Sequence, residues 1–143
     1  MSDSDAVLAS FVEGVFTCAK CGREAARVSV RPPGVTDPSH LSEIGYFLGH
    51  ARVVIEAGRL GTTMGGEAVD DAIPEVLRAL AAGDAPALFA ADFEMAPFWC
   101  PTCRASYCDK EWVVWPVYAD DYPGWFEESR GRCPNGHERR IQD

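Results

Sequence analysis

Basic residues are what this sequence is short of: 13 lysines and arginines stand against 22 aspartates and glutamates, for a formal net charge of -9. A broad surface for a nucleic-acid backbone needs the opposite balance, because affinity there comes from neutralising phosphates. Nucleic acid is therefore not the expected partner. The one contrary patch is the tail, where Arg130, Arg132, Arg139 and Arg140 stand near Glu138 and Asp143; such runs are ordinarily solvated surface. Long apolar runs are missing too, so no stretch reads as a membrane-spanning helix. The first residues, Met1-Ser-Asp-Ser-Asp-Ala, are acidic where a secretory leader is basic. The expectation is a cytoplasmic protein with no membrane segment. Catalytic signatures are equally scarce, with no HExxH and no H-x-E of the zinc-deaminase kind.

What is present is an ordinary globular composition, 47% hydrophobic and 24% charged over 143 residues. That length suits one domain with its own core. The unusual feature is the arrangement of six cysteines. Cys18-Ala-Lys-Cys21 and Cys100-Pro-Thr-Cys103 are both C-x2-C, the spacing at which one tight turn aims two sulfurs at one ion. Gly22 supplies the positive φ such turns use. Cys133 and His137 form a third pair with Pro134 and Gly136 between them. With Cys108 these make seven strong ligands, one short of two closed tetrahedral zinc sites. Glu111, at C-x2-E from Cys108, is the candidate eighth, with His50, His40 and Asp109 as competitors.

Four pairs can share two ions in three ways. Chain order would give a ribbon-like site from the first two cysteine pairs. Nesting would put residues 100 to 111 around one ion inside a site made by the chain ends. Interleaving would join Cys100 and Cys103 to Cys133 and His137, and Cys18 and Cys21 to Cys108 and Glu111, as a cross-brace. Interleaving is preferred over nesting, because only four residues separate Cys103 from Cys108. Disulfides would need an oxidising compartment. A thioredoxin-like dithiol would need a βαβ setting, whereas Cys100-Pro-Thr-Cys103 is followed by another cysteine and an expected strand.

The C-terminal stretch, C-P-x-C-x4-C-x2-E-W followed by G-R-C-P-x-G-H-E-R, resembles that of small, uncharacterised bacterial zinc-binding proteins, in which a histidine commonly stands at the position of Glu111. More distantly it resembles the paired knuckles of cross-brace and treble-clef zinc fingers such as RING-type domains. The resemblance implies metal binding and supplies no activity.

Elsewhere the pattern predicts a short helix over residues 4–14 and a strand over 26–31 that stops at Pro32-Pro33-Gly34. A loop is expected over 36–43, then a strand within 50–57 and a glycine-punctuated turn and mobile loop after it. A helix is expected over 73–82, with Asp70 or Asp71 as cap, Pro74 in its first turn and Gly83 at its end. A second short helix starts at Asp84 or Ala85 and carries Leu88 and Phe89, and a strand runs through Trp112–Tyr118. The expected fold is α+β: a small zinc-stabilised domain over residues 1–143 with zinc-knuckle β-hairpins and a helical middle segment. Residues 22–99 would form a helix and strand insert between the first and second ligand pairs.

Nine of the fifteen aromatic residues fall between Phe98 and Phe126. Most are expected to pack around the metal turns, with Trp115 and Trp125, beside prolines, as candidates for an exposed partner surface. The function expected from the whole is a non-enzymatic zinc-binding protein that carries two structural ions and binds another protein. The rivals are a zinc hydrolase with an open site at Cys108, Cys133 and His137, using Glu111 or Asp109 as base, and a thiol redox switch.

Overall fold

The computed structural model describes residues 12–32, 49–122 and 124–142. The first layer is an antiparallel four-stranded sheet in the order β1-β2-β3-β4. Its strands are β1 (Val12–Thr17), β2 (Glu24–Arg31), β3 (Arg52–Glu56) and β4 (Thr62–Gly65). Alternation fixes its faces: Gly14 and Phe16 are buried while Glu13, Val15 and Thr17 are exposed. On the two central strands Val28 pairs with Ile55 and Val30 with Val53, all four buried.

Helix α1 (Glu67–Ala82) lies against this sheet. Val69, Ile73, Val76 and Leu80, at helical spacing, are its buried stripe. The helix packs tightly on β1 at Gly14, where an added Cβ would sit 3.0 Å from Leu80 Cδ2 and 3.2 Å from the Leu80 carbonyl oxygen. Gly14→Val is accordingly expected to cost about 1–3 kcal/mol through overpacking, measured by urea unfolding against the original protein.

Two features of α1 depart from the sequence expectation. The helix begins six residues earlier, at Glu67, with Gly66 as its cap, and Pro74 lies inside it. Asp70 is not a cap; its Oδ1 accepts a hydrogen bond from the Ala51 amide at 2.8 Å and its Oδ2 lies 2.8 Å from His50 Nδ1. It therefore ties the helix to the start of β3, and tertiary anchoring outweighs the one helical bond that Pro74 forfeits. The end behaves as expected. Gly83 is left-handed at φ 63°, and Asp84 then caps α2 (Ala85–Ala91) by accepting from the Ala87 amide at 3.0 Å.

A 3-10 turn over Phe93–Met95 leads into the cysteine-bearing part. There β5 (Trp99–Cys100) and β6 (Ala105–Ser106) form a short hairpin, followed by the antiparallel meander β7 (Val113–Tyr118), β8 (Phe126–Arg132) and β9 (Glu138–Gln142). The described residues are thus α+β, with two helices and antiparallel sheets. Their buried side chains form one cluster from Phe16 and Val28 through Leu88 and Met95 to Trp112 and Ile141, with Cys18, Cys100, Cys108 and Cys133 among them. Phe16 stacks on Phe98 at 4.8 Å between ring centroids, joining the first sheet to the cysteine-bearing part.

Other expectations are corrected. Val12 to Gly14 belong to a strand and not to a helix end, and residues 4–11 lie outside the described residues, as do the loop at 36–43 and most of the Pro32-Pro33-Gly34 turn. The loop expected after residue 57 is a 3-10 turn, Gly58–Leu60, and the edge strand β4. Trp115 is half-buried, with the Arg132 guanidinium 5.7 Å from its ring, so it is not an exposed partner to Trp125. Among the described residues no helix is long and apolar enough to cross a membrane.

Candidate metal centre

Among the described residues two groups of side chains could hold metal ions. Cys100, Cys103, Cys133 and His137 form the first and Cys18, Cys21 and Cys108 the second, with the ligand atoms of each group within 4.8 Å of one another. The cysteines and His137 fall into the interleaved sets, with Glu111 outside the second. The hydrolase arrangement is overturned, because Cys108 belongs to a different group from Cys133 and His137.

The first group is built from two turns. The β5–β6 hairpin carries Cys100 at the end of β5 and Cys103 in the turn, which closes through the Arg104 amide and the Cys100 carbonyl at 2.8 Å. The β8–β9 connection carries Cys133 and His137, with the Gly136 amide bonded to the Cys133 carbonyl at 2.9 Å. Two sulfurs on a tetrahedral ion lie about 3.8 Å apart, and a sulfur and a nitrogen about 3.6 Å, for bonds of roughly 2.3 and 2.0–2.1 Å. The Cys103 and Cys133 sulfurs are 3.7 Å apart. His137 Nδ1 lies 3.1, 3.5 and 3.9 Å from the sulfurs of Cys103, Cys133 and Cys100. The donor set therefore fits a tetrahedral ion. Donors aimed at the sulfurs add to the fit: the Cys103 amide reaches Cys100 Sγ at 3.4 Å, the His137 amide reaches Cys133 Sγ at 3.4 Å, and Asn135 Nδ2 reaches Cys103 Sγ at 3.2 Å. Such bonds orient and stabilise thiolate ligands. Asn135 had no ligand spacing to reveal it; its place between Pro134 and Gly136 in a ligand turn was the available signal.

The second group joins distant parts of the chain. Cys18 and Cys21 flank the turn between β1 and β2, and Cys108 follows β6. The Ala19 amide donates to the Ser106 carbonyl at 2.8 Å, and Cys21 Sγ lies 3.6 Å from Cys108 Sγ, again close to the tetrahedral value. Cys18 and Cys108 are buried while Cys21 is exposed. Glu111 is not in this three-membered group. Its amide closes the Cys108 turn at 3.0 Å, and its carboxylate lies 3.5 Å from Lys20 Nζ, in the loop between Cys18 and Cys21. Of the competitors, His50 is held by Asp70, Asp109 Oδ2 accepts from the Arg59 amide at 3.2 Å, and His40 lies outside the described residues.

Cys18-x2-Cys21 and Cys100-x2-Cys103 close alike, each by an amide four residues on reaching the first cysteine's carbonyl. The residue that supplies this amide has positive φ in both, 77° at Gly22 and 54° at Arg104. Among the described residues Arg104 is the one non-glycine in that region. Left-handed backbone costs a side-chain-bearing residue about 1–2 kcal/mol, part of which glycine's greater unfolded-state freedom offsets. Arg104→Gly is thus expected to stabilise the protein by about 0.5–1 kcal/mol, read as an upward shift in urea midpoint at constant metal loading.

The thiols do not titrate alike. Burial raises Cys18, but amides of Cys21, Cys108 and Lys20 outweigh it and bring the thiol down to about 7. Asn135, then Tyr107, hold Cys103 down to about 6. Burial pushes Cys100 up to about 11 and also raises Cys108. Each group thus pairs a thiol inclined to be charged with one inclined to keep its proton, and an incoming cation would displace the remaining protons.

Beside the first group stands Arg139, which the sequence reading placed on a solvated tail. It is only 8% exposed. Its Nη1 donates to the carbonyls of Ala96 at 2.7 Å and Trp99 at 2.8 Å, its Nη2 to Phe93 at 3.0 Å, and its Nε to Arg140 at 2.9 Å. Burial lowers its pKa to about 10, so it is still a cation at neutral pH. It fastens the turn that leads into β5, and hence the position of Cys100.

No curated protein and no solved structure matches the chain. One family model matches residues 10–143, nearly the whole chain and every candidate ligand named above, and the protein belongs to that family, which is described as a domain of unknown function, DUF8328.

Proposed function

We propose that this protein is a non-enzymatic scaffold in which two zinc ions fix a surface for another protein. The observation that carries the reading is the set Cys100, Cys103, Cys133 and His137: four candidate ligands near tetrahedral separations, with His137 drawn closest to Cys103, which would fill an ion's coordination and leave no position for a reacting water. Sulfur-rich donors with one imidazole favour zinc among common divalent ions. The second ion would be held by Cys18, Cys21 and Cys108, with Glu111 turning from Lys20 to complete the shell. Zinc would then staple β1–β2 to the β6–β7 connection and β5–β6 to β8–β9, stabilising elements too short to hold their own geometry.

The exposure of Cys21 favours a second reading, a redox switch, for that site alone. The test is native mass spectrometry during a chelator titration, with hydrogen exchange on the same samples. Two zinc ions are expected. The one at Cys18, Cys21 and Cys108 should leave first, and sooner still in Glu111→Ala. Amides of β5 to β9 should lose protection only when the ion at Cys100, Cys103, Cys133 and His137 goes. Protection that survives complete metal removal would refute the scaffold.

A further inference from the structure

The β7–β8 hairpin extends past its third strand. β9 pairs with β8 only from Ser129 to Arg132, so Val117 and Tyr118 with Phe126 to Glu128 make a two-stranded tip that no third strand flanks among the described residues. The tip is ordered by its own backbone: the Ala119 amide donates to the Trp125 carbonyl and the Trp125 amide to the Tyr122 carbonyl, both at 2.9 Å. Gly124, at φ 88°, sits in the turn.

The side chains on this ribbon are of two kinds. Tyr118, Tyr122, Trp125 and Phe126 are all exposed. Asp120, Asp121 and Glu127 stand between and beside them, exposed, and have no basic partner among the described residues. No lysine, arginine or histidine occurs from Tyr118 to Glu128. Hairpin stability accounts for part of this, since Tyr118 and Phe126 are a cross-strand pair. It does not account for Tyr122 and Trp125, which are 70% and 69% exposed and line a cleft of about 360 Å³. With most of their surface outside the fold, they are available to bury it against something else.

We propose that this tip is a docking surface for a basic segment of another protein, one that lays an arginine or lysine side chain on Tyr122 and Trp125 while its charge faces Asp120, Asp121 and Glu127. Charge selects the occupant. The ring faces attract cations, and guanidinium stacks on tryptophan especially well. The surrounding carboxylates repel phosphate, which disfavours nucleic acid and anionic membrane on the same face. This rests on the scaffold reading for the general role and supplies the surface and the partner's chemistry.

The probe is a capped peptide of alternating arginine and glycine, titrated into the metal-loaded full chain at low and physiological salt and followed by amide chemical shifts. Shifts are expected at the tip, saturating in the micromolar to millimolar range. Tyr122→Ser with Trp125→Ser, which alters no charge, should weaken binding at least about tenfold, as for central aromatic anchors. Asp120→Asn with Asp121→Asn should weaken it several-fold and reduce its salt dependence. Glu67→Gln with Asp71→Asn, on exposed α1 positions, should leave it within about twofold, which separates docking from attraction to the net negative charge. Metal content is read on every variant, so a collapsed scaffold is distinguishable from a lost surface. The proposal is overturned if the peptide does not bind, if the serine variant binds as tightly as the original, or if the tip variants abolish only self-association of the chain.

Discussion

Cys133→Ser is expected to retain one ion of two and to lose about 4 kcal/mol or more of stability, at the extreme of what single substitutions do. Cys133 is buried at the end of β8, and its sulfur lies 3.7 Å from that of Cys103 and 3.5 Å from His137 Nδ1. Its backbone bonds the His137 carbonyl and the Gly136 amide, so the residue holds the β8–β9 turn as well as the ion. Serine keeps the backbone but offers a hydroxyl that gives up its proton far less readily than a thiol. Structural zinc contributes on the order of 10 kcal/mol to folding where it is indispensable, so even partial loss of one site should dominate other side-chain effects. Urea unfolding at fixed free zinc, with ions counted by native mass spectrometry, measures both parts. A variant with two ions and an unchanged midpoint would mean that Cys133 is not a ligand.

Arg139→Met should cost about 3 kcal/mol or more while leaving both ions bound. Methionine preserves much of the side-chain volume, so the loss reports the hydrogen bonds together with the guanidinium contact to the Phe89 ring at 5.1 Å. The carbonyls of Ala96, Trp99 and Phe93 all lose a donor at a place where water has little access. The Ala96 and Phe93 carbonyls keep backbone bonds from the Trp99 and Ala96 amides, so they lose a charge-assisted second donor, while the Trp99 carbonyl is left unsatisfied at about 1–3 kcal/mol before relaxation. Arg139→Lys should recover only part of the loss, because one ammonium cannot reproduce the planar fork. Arg140→Met, an exposed neighbour 4.9 Å from the Phe93 ring, should cost no more than about 1 kcal/mol. Equal losses at 139 and 140 would contradict the assignment of Arg139 as an internal fastener.

The difference between those two arginines shows where sequence reading stops. Four arginines near the chain end look alike as a charge run, yet β9 alternates, with Arg139 and Ile141 buried and Glu138, Arg140 and Gln142 exposed. Ile141 two residues on was the available clue, and the run of charge masked it. The cysteine pairs were legible because each spacing is local. Their grouping across nearly ninety residues is tertiary, yet a short-range argument about Cys103 and Cys108 favoured the arrangement that the fold brings together. Pro74 misled in the opposite direction, because proline usually marks a first turn, and the anchoring of Asp70 by His50 and Ala51 cannot be seen from propensity. The expected α+β class stands for the described residues. That zinc stabilises it is the proposal.

X-ray absorption at the zinc edge, on protein purified without added metal and counted for zinc per chain, tests that proposal most directly. Two ions per chain are predicted, with a mean shell of three sulfurs at about 2.3 Å and one nitrogen or oxygen at about 2.0–2.1 Å. An oxygen-dominated shell, or no zinc at all, would contradict the central claim that the two cysteine groups are built to hold it.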